Sequence, residues 1–184
     1  MHDCGSIIDM VTLVIGGARS GKSTWAEQQA VQYDQPRIYV ATAEPIDEEM
    51  VQRIAAHQRR RAGIFSQTIE EPLHLDTAIA SAASQASVIL IDCVTVWLGN
   101  LLYHHGIQQE YDEIPAFLSA LRSCEQSVIV VTNEVGEGLV PADPESRHFR
   151  DQAGWLNQAI AQIADQVVWM VAGIPVPIKG SITL

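Results

Sequence analysis

The segment G-G-A-R-S-G-K-S, Gly16 to Ser23, carries the spacing G-x-x-x-x-G-K-[ST] at Gly16, Gly21, Lys22 and Ser23. Glycines there let successive backbone N–H groups curl around phosphate oxygens, and a helix that starts at the lysine aims its positive end at the same anion. Lys22 then reaches the β- and γ-phosphates, and the Ser23 hydroxyl ligates Mg²⁺. An accidental glycine-rich turn would carry the same letters. Here, however, the apolar run V-T-L-V-I from Val11 precedes the motif, and a helix-compatible stretch from about Ser23 to Tyr33 follows it. Strand, turn and helix in that order are the context a phosphate-binding loop requires. Such a loop is completed by a carboxylate at the end of a neighbouring apolar strand, which V-I-L-I-D supplies as Asp92. It would hold Mg²⁺ or its water, although an Asp in that place also serves as a turn former or helix N-cap.

A second constellation is R-I-A-A-H-Q-R-R-R, Arg53 to Arg61, which holds four of the chain's eleven Lys and Arg residues against a net charge of -11. On a helix, Arg53, His57, Arg60 and Arg61 fall on neighbouring turns and can share a face. That face would be a cationic wall with an imidazole in it. Spacing alone leaves a plain alternative open, because arginines near a helix C-terminus meet its dipole favourably while remaining solvated.

The elements that must position these groups alternate. R-I-Y-V-A follows the first helix and ends at Thr42, and Asp47 with Glu48 and Glu49 marks the start of the basic helix. A weaker strand lies in F-S-Q-T-I, and an Ala-rich helix from about Leu73 to Ser84 leads into V-I-L-I-D. Helices near Val96 to Tyr103 and Ile114 to Arg122 precede a second fully apolar strand, S-V-I-V-V-T-N. The last helix, about Ser146 to Asp165, spaces Phe149, Ala153, Leu156, Ile160 and Ile163 as one buried stripe and feeds V-V-W-M-V and a Pro-interrupted tail. Strands that are apolar on both faces and alternate with helices predict an α/β fold with a mostly parallel sheet flanked by helices, of RecA-like P-loop NTPase architecture. Ligands then gather at the C-terminal strand ends, at Gly16, Thr42, Asp92 and Asn133.

The 184 residues, 47% hydrophobic and 18% charged, suit one ordered domain, expected from residue 10 to residue 184 after a short extension at 1–9. The acidic balance argues against a general nucleic-acid or anionic-membrane binder, so any anion must be recognised locally. No apolar run is long enough for a membrane span. Cys4, Cys93 and Cys124 lack disulfide or zinc spacing, which fits a reduced, cytoplasmic setting.

The cradle, then Y-V-A-T-A, D-E-E-M-V-Q-R-I-A-A-H, V-T-N-E-V-G-E-G-L-V-P, R-H-F-R-D-Q-A-G-W-L-N-Q and A-G-I-P resemble the bifunctional adenosylcobinamide kinase / adenosylcobinamide-phosphate guanylyltransferase family of cobalamin biosynthesis. The resemblance runs from about Met10 to Lys179. It implies an enzyme that phosphorylates the aminopropanol hydroxyl of adenosylcobinamide with ATP or GTP. GMP then passes from GTP to that phosphate through a GMP-histidine intermediate, giving adenosylcobinamide-GDP and pyrophosphate. The histidine that matches is His57, with Lys22 as the second catalytic residue. Implied nucleotide contacts are Gly16, Gly17, Ala18, Arg19, Ser20, Gly21, Lys22 and Ser23, then Ala41, Thr42 and Ala43, then Gln58, Arg59, Arg60 and Arg61, with Glu70 and Asp92. Mg²⁺ is expected on Ser23 and Asp92, and a homotrimer is implied. Two other readings stand beside it: a simple small-molecule P-loop kinase in which the basic helix is only a lid, and a non-catalytic nucleotide-dependent switch.

Lesser features are ambiguous. Asn133 and Glu134 end a central strand where a second substrate could bind, or form only a turn. Arg147 and Arg150 open the last helix, where a phosphate or solvent would meet them. Trp25, Trp97, Trp155 and Trp169 suit core or interface, and His104 and His105, which lack ligand partners at metal spacing, are expected to be exposed.

Overall fold

The structure is a computed structural model in which residues 10–181 are described, apart from the side chains of Glu49 and Arg53. The expected extension at residues 1–9, the final residues 182–184 and the side-chain role of Arg53 therefore lie outside the described residues. In chain order the elements are β1 (Val11–Gly16), α1 (Lys22–Ala30), β2 (Arg37–Ala41), α2 (Glu48–Arg60), β3 (Gln67–Glu70), α3 (Leu75–Ala83), β4 (Val88–Asp92), α4 (Val94–His105), α5 (Glu113–Ser123), β5 (Ser127–Asn133), α6 (Pro144–Ile163), β6 (Gln166–Val171) and β7 (Ile174–Lys179).

The strands form one seven-stranded sheet in the order β3-β2-β4-β5-β1-β6-β7. Every pairing is parallel except β6 with β7. Alternation along each strand divides the apolar side chains between two cores. Leu13, Ile38, Val40, Ile89, Ile91, Val128 and Val130 pack on the face covered by α3 to α6, with Trp97, Phe117, Leu156 and Ile160. Val14, Tyr39, Leu90, Ile129 and Val131 turn to the other face and meet Trp25, Ala26 and Ala30 of α1. Both faces are buried, which is why these strands read as continuous apolar runs instead of alternating ones.

The Pro-interrupted tail is a finding the sequence pattern does not predict, since it forms β7. Pro175 and Pro177 lie two residues apart on an edge strand, so both missing N–H groups fall on one side, and the alternate residues can still bond to β6. The last helix also starts earlier than expected. Asp143 caps it through a bond from the Ser146 N–H at 2.7 Å, and Pro144 takes the first position, where no N–H is needed.

In contrast to these buried layers, no described residue of α2 is buried. This helix rests on the domain at few points, among them Arg60 on Glu27 of α1.

Candidate functional site

β1 delivers Gly16 to the C-terminal edge of the sheet, and the backbone there leaves no room for a side chain. A Cβ on Gly16 would lie 2.5 Å from the Met170 carbonyl oxygen and 2.9 Å from Ser20 Oγ. Gly21 has φ 97°, and its Cβ would lie 3.2 Å from Gly173 Cα. The loop closes on itself through the Ser20 N–H to the Gly17 carbonyl at 3.3 Å. The Gly173 N–H ties it to the β6–β7 turn by donating to the Ser20 carbonyl at 2.9 Å. Gly17, Ala18 and Arg19 are exposed at the tip. No side chain caps α1 and its first turn holds no acidic residue, so its positive end is open to an anion.

Lys22 folds back over this loop. It is 7% exposed, and its Nζ donates to the Gly17 carbonyl at 2.6 Å and to Ser20 Oγ at 3.5 Å. Burial lowers its pKa, while Cys93 and Asp92 pull it upward. The second row of the site is set by strand register, which places Ala41 opposite both Glu70 and Asp92 and Gly16 opposite Asn133. Asp92 is oriented by the Tyr39 hydroxyl, which donates to Oδ2 at 2.9 Å. Burial and then the Asp92 charge hold the Tyr39 phenol well above its ordinary pKa, so it remains a donor.

Thr42 is fully buried, and its side chain is occupied. Oγ1 donates to the Cys93 carbonyl and accepts from the Cys93 N–H, both at 2.9 Å. Asn100 Nδ2 grips the Thr42 carbonyl at 2.7 Å. Thr42 therefore braces the ends of β2 and β4, while Ala43 beside it is half-buried and Glu70 is exposed on the edge strand. Burial, followed by Asp92, pushes the Cys93 thiol up to about 12, which leaves it a poor nucleophile.

The basic helix ends beside this row. Asp47 caps it by accepting from the Met50 N–H at 2.7 Å, and the half-buried His57 lies one turn before its end. Burial lowers the His57 pKa, Arg60 lowers it further, and Asp92 and Glu27 oppose them.

The arginines do not form a free cationic wall. Arg60 Nε and one terminal nitrogen donate to Glu27 Oε2 at 3.0 Å and Oε1 at 2.7 Å, and Glu27, on α1, is 4% exposed. Arg61 is 7% exposed, with its guanidinium carbon 3.9 Å from the Tyr39 ring centroid. Gln58 and Arg59 are exposed. Of the expected triphosphate partners on this helix, two are thus engaged by protein groups. Glu27, Tyr39 and Asn100 brace neighbouring elements and are passed over by motif reasoning; the signal for Glu27 was an acid among the buried positions Trp25, Ala26 and Ala30.

β5 ends in a closed ring of hydrogen bonds. The Asn133 N–H donates to Thr95 Oγ1 at 2.6 Å, and that hydroxyl lies 3.1 Å from Thr132 Oγ1. Thr132 Oγ1 donates to Asn157 Oδ1 at 2.8 Å, and Asn157 Nδ2 returns to the Asn133 carbonyl at 3.1 Å. Because Thr132 has spent its proton on Asn157, Thr95 must be the donor between the two hydroxyls. Arg147 donates to the Pro141 and Ala142 carbonyls, and Arg150 approaches Asp151, so both are turned to local protein partners. His104 and His105 are exposed as expected, and each meets one carboxylate, Glu44 at 2.9 Å and Glu113 at 3.0 Å. Trp25 and Trp97 are core residues, whereas Trp155 is 61% exposed.

The sequence from residue 12 to residue 178 matches the family described as cobinamide kinase / cobinamide phosphate guanyltransferase. It is 44% identical over 171 residues to the bifunctional adenosylcobalamin biosynthesis protein CobP of Pseudomonas aeruginosa, covering 93% of this chain and 98% of that protein. The similarly named CobU proteins of Salmonella typhimurium and Escherichia coli are 42% and 39% identical, each covering 92% of this chain and 100% of the relative. Among solved structures, the flagellar accessory protein FlaH of Methanocaldococcus jannaschii superposes with a TM-score of 0.50 at 14% identity, over 94% of this chain and 79% of that one. That likeness concerns the fold alone.

Proposed function

The chain belongs to the cobinamide kinase / cobinamide phosphate guanyltransferase family, and from that membership we propose that one site on it performs two consecutive transfers. In the first, the hydroxyl oxygen of adenosylcobinamide's aminopropanol arm attacks the γ-phosphorus of ATP or GTP. The bond from that phosphorus to the β–γ bridging oxygen breaks, the hydroxyl proton is released to solvent, and the nucleoside diphosphate departs. In the second, a neutral His57 nitrogen attacks the α-phosphorus of GTP, and pyrophosphate leaves. A phosphate oxygen of adenosylcobinamide phosphate then displaces His57 from the bound GMP, giving adenosylcobinamide-GDP and restoring the imidazole.

The observation that carries this reading is the seating of the helix that holds His57: Arg60 binds Glu27 of α1, and Arg61 stacks on Tyr39, whose hydroxyl holds Asp92. Lys22 and the open N-terminus of α1 neutralise the β- and γ-phosphates, where negative charge accumulates in both transition states. Burial and the Arg60 charge keep His57 unprotonated and nucleophilic near neutral pH. The kinase step requires only the cradle, so a bare P-loop kinase would explain that half but gives no work to a half-buried imidazole at this place.

Mg²⁺ belongs to the proposal, on the Ser23 hydroxyl and the Asp92 carboxylate. Among the described residues no group of three or more His, Cys, Asp or Glu gathers around a metal. One hydroxyl and one carboxylate suit Mg²⁺, which keeps waters and takes the rest of its shell from substrate phosphates. Bound there, it would offset charge on the β- and γ-phosphate oxygens.

Backbone groups of Ala41 and Ala43, with Glu70 at the sheet edge, would receive the rest of the nucleotide, and exposed Gln58 and Arg59 face the same approach. An adjoining groove between Ile46, Met50, Val96 and Tyr103 offers the acceptor an apolar wall. No described helix is long and apolar enough to cross a membrane. A cytoplasmic setting and a homotrimer are further parts of the proposal, and light scattering of the purified protein tests the trimer.

The decisive experiment incubates the protein with GTP labelled at the α-phosphate and maps the adduct. Label on His57, its loss in His57→Ala and survival of adenosylcobinamide phosphorylation in that variant are expected. Label on any other residue, or persisting in the variant, overturns the assignment.

A further inference from the structure

We propose that Glu27 is the positioning residue for guanylyl transfer: it clamps the end of α2 to the helix that carries Lys22 and so holds His57 against the triphosphate. The inference rests on the reading of His57 as the nucleophile.

Its basis is how little else holds α2. No described residue of that helix is buried, and its Asp47 cap is local. Among the described residues, the only side-chain hydrogen bonds or ion pairs from α2 to another element are those of Arg60 with Glu27. The next residue, Arg61, adds one stacking contact on Tyr39.

Chemistry makes the Glu27 contact directional. A carboxylate 4% exposed on α1 would be costly without a cation beside it, so its burial demands Arg60. The two-pronged bond fixes the plane and the roll of the guanidinium, which a single contact would leave free. Arg60 lies three residues after His57, one turn along the same side of the helix, so fixing Arg60 fixes the direction in which His57 projects. Glu27 in turn lies on the helix that begins at Lys22. The nucleophile and the phosphate-binding ammonium are therefore referred to one rigid element.

The second contact works in the same sense. Arg61 stacks on Tyr39, and the Tyr39 hydroxyl holds Asp92, so the helix end is also keyed to the carboxylate of the second row. Two fixed points, one on α1 and one on β2, define the orientation of His57. Electrostatics alone would not require this arrangement, because Glu27 acts on the His57 pKa against Arg60.

The kinase reaction supplies the internal control, since it makes no use of His57. In Glu27→Gln the rate of GMP labelling at saturating GTP should fall about ten- to a hundredfold, the loss expected for a reacting group displaced by about 1 Å. The KM for GTP and the kinase rate should stay at wild-type values, and the loss should persist across the pH range in which His57 is neutral. Amide exchange in residues 48–60 should accelerate while that of α1 does not. Should Glu27→Gln fail to fold, Glu27→Asp keeps the charge but withdraws the carboxylate by one methylene, and should show a smaller selective loss.

Folded Glu27→Gln that labels at the wild-type rate overturns the proposal. So does an equal loss in both reactions, which would make Glu27 a general support of the cradle. Absence of any His57 adduct in the wild-type protein is a different result: it defeats the two-step reading itself, and this inference with it.

Discussion

At the scale of single residues, the site depends on a histidine that stays uncharged while surrounded by groups of both signs. Burial and Arg60 favour the neutral imidazole, and Asp92 and Glu27 favour the protonated one. The net effect is a pKa below the ordinary value, so the nucleophilic form predominates above that lowered pKa and is lost as pH falls through it. Guanylyl transfer should therefore hold its rate into mildly acidic solution and fall on an acid limb below the unperturbed histidine pKa. The pH dependence of single-turnover GMP labelling measures that limb, and a midpoint above the ordinary histidine value contradicts the balance of fields described. The kinase rate should not share the limb. Lys22 stood out as a candidate through its motif, and His57 through the family resemblance, since spacing alone left a solvated helix end open. Glu27 and Tyr39 did not stand out, because their importance comes from contacts that cross 33 residues to Arg60 and 53 residues to Asp92, and no local pattern encodes those distances.

At the scale of elements, the buried strands were legible because a parallel sheet covered on both sides requires apolar residues at every position. The basic character of α2 was visible too, but not its docking, since the sequence shows four charges and not which of them meet an acid or a ring. β7 was hidden by its prolines, which read as a break until the open side of an edge strand accounts for them. The end of β5 was ambiguous between turn and substrate site, and the hydrogen-bonded ring resolves its structural half. Thr95, Thr132 and Asn157 join α4, β5 and α6 through buried polar atoms, each of which satisfies the next. Thr132→Val keeps the shape and removes the link, leaving the Asn157 carbonyl and the Thr95 hydroxyl without their partner. Loss of about 1–3 kcal/mol is expected, read as a lower urea midpoint with an unchanged slope. A midpoint equal to that of the wild type would mean that the ring contributes no net stability.

At the scale of the whole molecule, the chain carries a net charge of -11 yet is built to receive a triphosphate. The opposition is resolved by position. The positive end of α1 and Lys22 lie together at one edge of the sheet, so the attraction proposed for the phosphates is local. The register sets Gly16 against Asn133 and Ala41 against Asp92 at that edge, where the parts of both proposed reactions would share one site. The sequence contains a single G-x-x-x-x-G-K-[ST] loop, and both reactions need a triphosphate held by it. The cradle must then be emptied between the two reactions, because the diphosphate left by the kinase step occupies the place that the next GTP requires. A guanosine diphosphate whose α–β bridge is a methylene group can take part in neither transfer and tests this directly. It should compete with the phosphate donor in the kinase assay and with GTP in the labelling assay, with one and the same inhibition constant. Two different constants, or inhibition of one reaction that is not competitive with nucleotide, would require a second nucleotide site and would separate the two activities in space.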